Sequence, residues 1–160
     1  MSVTVTTRNR VEFDLARILD VIVPVAVAMI QRRSAKGLDV NGAPFKPYSP
    51  EYAEALREGG ESTAVDLTVT GSYLAGISER SRTVDAARGT ATAVIGPGTG
   101  TSEQRHFADG KAKRTGRRSP PHAVLARYLS IHRKHLGLTP DERKKLAALA
   151  VKAALRIARR

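Results

Sequence analysis

At 160 residues, with 41% hydrophobic but only 4% aromatic residues and no Trp, the chain can bury one modest core built from Val, Leu, Ile and Ala. The absence of Cys excludes a disulfide framework, a thiolate nucleophile and a cysteine-based zinc site, and points to a cytoplasmic setting. The net charge of +12 is unevenly placed: residues 1–100 hold 11 Lys/Arg against 11 Asp/Glu, whereas residues 101–160 hold 16 against 4, so the whole excess lies in the last third. Such an imbalance calls for an anionic partner or an acidic neighbouring surface.

Val3 and Val5 alternate with Thr over Ser2–Thr7, the period of a short strand. From Glu12 to Ser34 the apolar positions Phe13, Ala16, Leu19, Val23, Ala26, Val27 and Ile30 follow helical spacing, with Arg32, Arg33 and Lys36 near the end and Gly37 as a stop. Pro24 is expected to kink or split this helix. Its apolar run, Val21 to Ile30, spans ten residues against about 20 needed to cross a bilayer, and Met1–Arg10 lacks the apolar stretch of a secretory leader. Neither a leader nor a membrane anchor is therefore expected.

Asn41-Gly42 and the prolines at 44, 47 and 50 make the stretch from Gly37 to Pro50 a defined loop. Ser49-Pro50 starts a short helix ending at Glu58 before Gly59-Gly60. Alternation of Val65, Leu67 and Val69 predicts a strand over Ala64–Thr70, followed by a two-turn helix that carries Tyr73, Leu74 and Ile77. Arg80–Ala86 and Thr90–Ile95 read as a hairpin around Arg88-Gly89, stopped by the glycines at 96, 98 and 100.

Residues 99–121 are almost devoid of apolar side chains and are expected to form a flexible basic loop. A basic helical region, 122–160, follows. Ala123–Lys134 places Leu125, Tyr128, Leu129 and His132 on one side, and Thr139-Pro140-Asp141-Glu142 opens a last helix to Ala158 with a stripe of Leu146, Leu149, Ala150, Ala153 and Ile157. The whole reads as a single α+β domain: a small antiparallel sheet packed against a long N-terminal helix, with C-terminal helices.

Catalytic and metal chemistry find little support. His132 and His135 lie three apart, yet no carboxylate follows before Asp141 to complete a ligand set. His106, Asp109 and the serines do not fall into a nucleophile-elbow pattern, and the glycines at 96, 98 and 100 lack the Lys and Ser/Thr of a phosphate loop. No catalytic residue, metal ligand or cofactor is assigned. Lys111, Lys113, Arg114, Arg117 and Arg118 suit either a solvated arm or a segment lying along phosphates or along an acidic patch of another subunit. No aromatic is interleaved with them, so base stacking is disfavoured.

Three blocks occur in an informative order. They are Gly37-Leu38-Asp39-Val40-Asn41-Gly42-Ala43-Pro44-Phe45-Lys46-Pro47-Tyr48-Ser49, then Leu67-Thr68-Val69-Thr70-Gly71 with Leu74 and Ile77, then His106-Phe107 with Gly110 ahead of Leu136-Gly137-Leu138-Thr139. In that order they resemble the tail-completion and virion-morphogenesis proteins of tailed bacteriophages over about residues 10–150. Ser119-Pro120-Pro121-His122 departs from the family, which usually shows proline, arginine and an aromatic there.

The resemblance implies a non-enzymatic neck or head–tail joining component, commonly a ring of six copies, found in the virion and assembled in the host cytoplasm. Its implied partners are itself, the connector or stopper, the tail tube and the packaged DNA in the lumen, with no membrane. Asp39, Phe45, Tyr48, His106 and Phe107 would then make intersubunit or connector contacts, and the five cations of 111–118 would bind a partner. A nonspecific DNA-binding protein, gripping phosphates with its basic last third, is the competing expectation. A tail-borne peptidoglycan hydrolase is a third, and it lacks an acid or nucleophile site.

Overall fold

The computed structural model describes residues 1–6, 13–60, 62–65, 67, 72–98, 105–108, 111–114, 126–127, 129, 131 and 133–158. They fall into two compact units, one of residues 1–32, 77–96 and 136–160 and the other of residues 33–76 and 97–135.

In the first unit, β1 (Ser2–Thr6), β2 (Ser78–Asp85) and β3 (Thr90–Gly96) form an antiparallel sheet in the order β1-β3-β2. Val3 pairs with Ala93, Val5 with Ala91, and the β2–β3 hairpin closes with Asp85 opposite Thr90. The turn is set by Gly89 at φ +61° and by the Asp85 carboxylate accepting the Arg88 N–H at 3.0 Å. Ala91, Ala93 and Ile95 face inward and are buried against the long helix α1 (Leu15–Ala35), whereas Thr92 opposite Thr4 faces outward. The architecture is α+β, with a small antiparallel sheet, an N-terminal helix packed on it and a C-terminal helix.

Asp14 caps α1, its carboxylate accepting the Arg17 N–H at 3.1 Å. The buried stripe is Leu15, Ile18, Leu19, Ile22, Val23, Ala26 and Ile30, turned slightly from the expected one: Phe13, Ala16 and Val27 are only half-buried. α1 runs unbroken through Pro24. The ring is exposed, on the side away from this stripe, where water satisfies the carbonyl left without a donor while the apolar face holds the helix together.

The last helix, α4 (Pro140–Ala158), also belongs to this unit and buries Leu146 and Ala153. Its start is a reciprocal capping box: Thr139 Oγ1 accepts the Glu142 N–H at 3.1 Å, and a Glu142 carboxylate oxygen accepts the Thr139 N–H at 2.8 Å. Thr139→Ala removes one arm and should lower the unfolding free energy by about 1 kcal/mol, read from urea denaturation; an unchanged midpoint would show the cap to be redundant.

The second unit holds α2 (Pro50–Glu58), α3 (Ser72–Ala75) and a hairpin of β4 (Arg105–Ala108) and β5 (Lys111–Arg114). Ser49 caps α2, its hydroxyl accepting the Tyr52 N–H at 3.3 Å, as Ser-Pro predicts. Phe45, Leu56, Tyr73, Leu74, Ala126 and Leu129 are its buried apolar residues.

Two expectations are corrected here. The described residues of the expected strand over 64–70, namely Ala64, Val65 and Leu67, are not in a strand, and Leu67 has φ +58°, which no extended chain adopts. Within 99–121, expected as a loop, the four-residue strands β4 and β5 pair, since β structure needs backbone partners more than apolar side chains. The expectations for Leu125, Tyr128 and His132 lie outside the described residues.

Candidate functional site

The loop after α1 begins with a tight helix stop. Gly37 adopts φ +71°, its N–H reaches the Ser34 carbonyl at 3.0 Å and the Leu38 N–H reaches the Arg33 carbonyl at 3.2 Å, the double bond pattern of a glycine C-cap. Gly37 then returns its own carbonyl to the Phe45 N–H at 2.7 Å, which closes residues 37–45 into a compact loop.

Asp39 braces this loop from inside. Its carboxylate accepts the N–H groups of Asn41 at 2.7 Å and Ala43 at 2.9 Å, and the Asn41 side-chain amide at 3.2 Å. Burial pushes its pKa up, but the Ala43 and Asn41 donors, with the Lys134 charge, outweigh that and hold it below the ordinary carboxylate value. Phe45, expected at a subunit contact, is buried within its own unit and anchors the loop. Tyr48 is half-exposed, set edge-on to Tyr52 at 5.0 Å between ring centroids, with the Arg133 guanidinium 5.1 Å from its own centroid.

β4 and β5 place His106 opposite Lys113, Phe107 opposite Ala112 and Arg105 opposite Arg114, with Lys111 at the turn end of β5. This register brings five of the expected contact and cationic positions, His106, Phe107, Lys111, Lys113 and Arg114, onto one hairpin and leaves Asp39, Phe45 and Tyr48 on the loop. Arg117 and Arg118 lie outside the described residues.

A buried polar cluster escaped the sequence reading. Tyr73 Oη hydrogen-bonds His135 Nε2, the His135 carbonyl accepts from Arg33 Nη2 at 2.7 Å, and the neighbouring Lys134 carbonyl accepts the Val40 N–H at 3.1 Å. Arg33, Ser34, Tyr73 and His135 are all buried, His135 completely. Burial, together with the positive charges of Arg33 and Arg133, lowers the His135 pKa to about 4, so the ring is neutral at pH 7; burial raises that of Tyr73.

A fully enclosed imidazole cannot meet a substrate, so the cluster is structural: it fastens the 134–135 segment to the end of α1 and to the loop at Val40. His135 Nδ1 and Ser34 Oγ find no hydrogen-bond partner among the described residues. Among those residues, too, no group of three or more His, Cys, Asp or Glu could hold a metal ion, and no helix is long and apolar enough to cross a membrane.

The surface of the first unit carries two further features. Arg82 on β2 grips Glu79 through both carboxylate oxygens, at 2.7 and 2.9 Å, and also reaches Asp20 on α1. The hydrogen bonds from Arg82 hold the Glu79 carboxyl below its ordinary pKa. The other feature lies on α4, where Val151 is 60% and Leu155 51% exposed. By helical spacing they stand away from Leu146 and Ala153, yet together with Leu146 they line one open groove whose walls include Val3 of β1 and Phe13.

No family model, curated protein or solved structure matches this chain. Tyr48 with Tyr52, and Val151 with Leu155 on α4, are thus the candidate contact residues on chemical grounds alone.

Proposed function

We propose that this chain is a structural protein of the neck or tail-proximal ring of a tailed bacteriophage, acting in tail completion, tail termination or head–tail joining. It works as an oligomeric ring, of six copies if it follows the proteins it resembles, set between connector and tail tube, and it catalyses nothing. The observation that carries this reading is the pair Val151 and Leu155 on α4, which stay more than half exposed in the single chain at the edge of an open apolar groove. Apolar surface held in water beside lysines is retained where another protein covers it.

The order of the three sequence blocks supplies the choice of assembly. The cationic excess of residues 101–160, including Lys111, Lys113 and Arg114 of β5, suits a lumen through which DNA passes. The same excess favours a second reading, a free protein that grips duplex DNA without sequence preference.

Sedimentation velocity and electron microscopy of nuclease-treated protein separate the two readings. A ring of fixed size that persists without DNA is the expected result. A chain that stays monomeric and binds duplex with an affinity falling steeply between 50 and 200 mM salt, by about 10³-fold or more, would instead establish the second reading.

A further inference from the structure

We infer that the free edge of β1 pairs antiparallel with β1 of a second copy about a two-fold axis, so that two three-stranded sheets become one continuous sheet. A two-fold contact closes on itself, so it pairs two chains or two rings and stands apart from the ring reading above.

The register leaves β1 half-used. Met1 exchanges both backbone bonds with Ile95, its amino group donating at 3.0 Å and its carbonyl accepting at 2.7 Å. Bonding residues alternate along an antiparallel ladder, so Val3 and Val5 also bond β3, while the N–H and C=O groups of Ser2, Thr4 and Thr6 point away from it. Among the described residues no strand pairs on that side. A groove of about 760 Å³ runs there instead, and every residue from Met1 to Thr6 lines it, as side chains that alternate between two faces do along an edge.

Charge points to β1 itself as the occupant. Among the described residues Arg143 is the one charged side chain lining the groove, and its Nε already donates to the Leu138 carbonyl at 3.1 Å. Such an edge suits an uncharged strand. β2, β4 and β5 all carry charged residues and β3 is paired on both sides, so of the described strands only β1 has both a free edge and no charge.

The strand is also complementary to itself. With Thr4 opposite Thr4 of the second copy, Val3 meets Val5 on the inner face, where both are only half-buried in the single chain. Ser2 meets Thr6 on the outer face, which extends the row of hydroxyls that Thr4 and Thr92 begin at 3.1 Å. The two α4 helices then lie on the same face of the joined sheet, one on each side of the junction. Val151 and Leu155, at the rim of the groove, are thereby covered.

Thr4 variants of the full chain, followed by sedimentation equilibrium, test the contact. Thr4→Pro removes an N–H that β3 does not use and sets a ring on the free edge, so the melting profile should hold while self-association is lost. Thr4→Lys sets like charges face to face and should weaken association by about 10-fold or more; mixing it in equal amounts with Thr4→Glu should restore pairing. These two keep a readout if the proline unfolds β1. The sequence has no Cys, and a two-fold axis places residue 4 against itself, so Thr4→Cys alone should oxidise to a linked dimer and nothing larger, whereas Val84→Cys on β2 should not.

A wild type that is monomeric at every concentration overturns the contact, as does association that Thr4→Pro and Thr4→Lys leave untouched. Cross-linking through Val84→Cys instead would make β2 the pairing edge and overturn β1. If rings form and Thr4→Lys leaves their mass unchanged, the β1 contact is wrong and the ring stands. If the wild type is a dimer that Thr4→Lys splits and no ring forms, the contact stands and the ring reading falls.

Discussion

Replacing His135 with Ala should cost about 3–5 kcal/mol of stability, measured by urea unfolding at pH 7.5. Two losses add. The ring is completely buried, so its removal leaves a cavity of the kind that makes large-to-small core changes expensive. The Tyr73 hydroxyl, itself buried, also loses its imidazole partner, and an abandoned buried hydroxyl costs about 1–3 kcal/mol. Tyr73→Phe removes the other half of the pair and separates the terms: combined with His135→Ala, its effect should be well short of additive. A loss below about 1 kcal/mol for His135→Ala would mean that the cluster does not fasten the second unit.

The same residue predicts an acid-sensitive window. Above pH 6.5 the imidazole is neutral in folded and unfolded chains alike and contributes no pH dependence. Between 6.5 and about 4 the unfolded chain takes up a proton that the buried ring refuses, so stability falls as pH falls, by on the order of 3 kcal/mol across the window. His135→Phe should flatten this limb while leaving the one below it. That lower limb belongs to groups of the other sign: Asp39 and Glu79, held below their ordinary values, contribute stability that is present above those values and lost as pH drops through the folded ones.

The elements legible in the sequence were those with local punctuation. Ser49-Pro50, Thr139-Pro140 and Gly37 each announce a helix end because capping is a matter of residues two to five positions apart, and the β2–β3 hairpin follows from alternation around Gly89. The expected strand at 64–70 failed where a backbone angle, φ +58° at Leu67, overrode an alternating pattern that carries no information about it. β4 and β5 were hidden for the opposite reason, since a polar hairpin has no hydrophobic period to read.

The polar cluster lay beyond sequence reasoning because Tyr73 and His135 are 62 positions apart and nothing near either marks the other. The one available hint was that Tyr73 sits beside Leu74 in an apolar helix, where a buried hydroxyl has to find a partner. Of the two aromatics expected at contacts in the 37–49 block, Tyr48 stands half-exposed, whereas Phe45 turns inward to close the loop. The exposed residues of α4 could be placed only after Leu146 and Ala153 had shown which side is buried.

Gly37→Ala should destabilise the chain by about 2–3 kcal/mol, and Gly42→Ala by only about 1 kcal/mol, although both glycines adopt positive φ, +71° and +79°. The left-handed backbone penalises any side chain at either position to a similar degree. Their surroundings differ: a Cβ on Gly42 would meet nothing within 4 Å, whereas one on Gly37 would lie 2.7 Å from the backbone carbonyl oxygen of Val65. Since that oxygen belongs to the main chain, it can yield only by moving the 62–65 segment or by opening the Gly37–Phe45 hydrogen bond that closes the loop. The difference between the two variants therefore isolates the close approach from the backbone strain. Equal losses in the two unfolding curves would show that the Val65 segment gives way freely and that Gly37 is needed for its φ alone; a larger loss at Gly37, with Tyr48 and its neighbours displaced in the same variant, would tie the helix stop directly to the surface the loop presents.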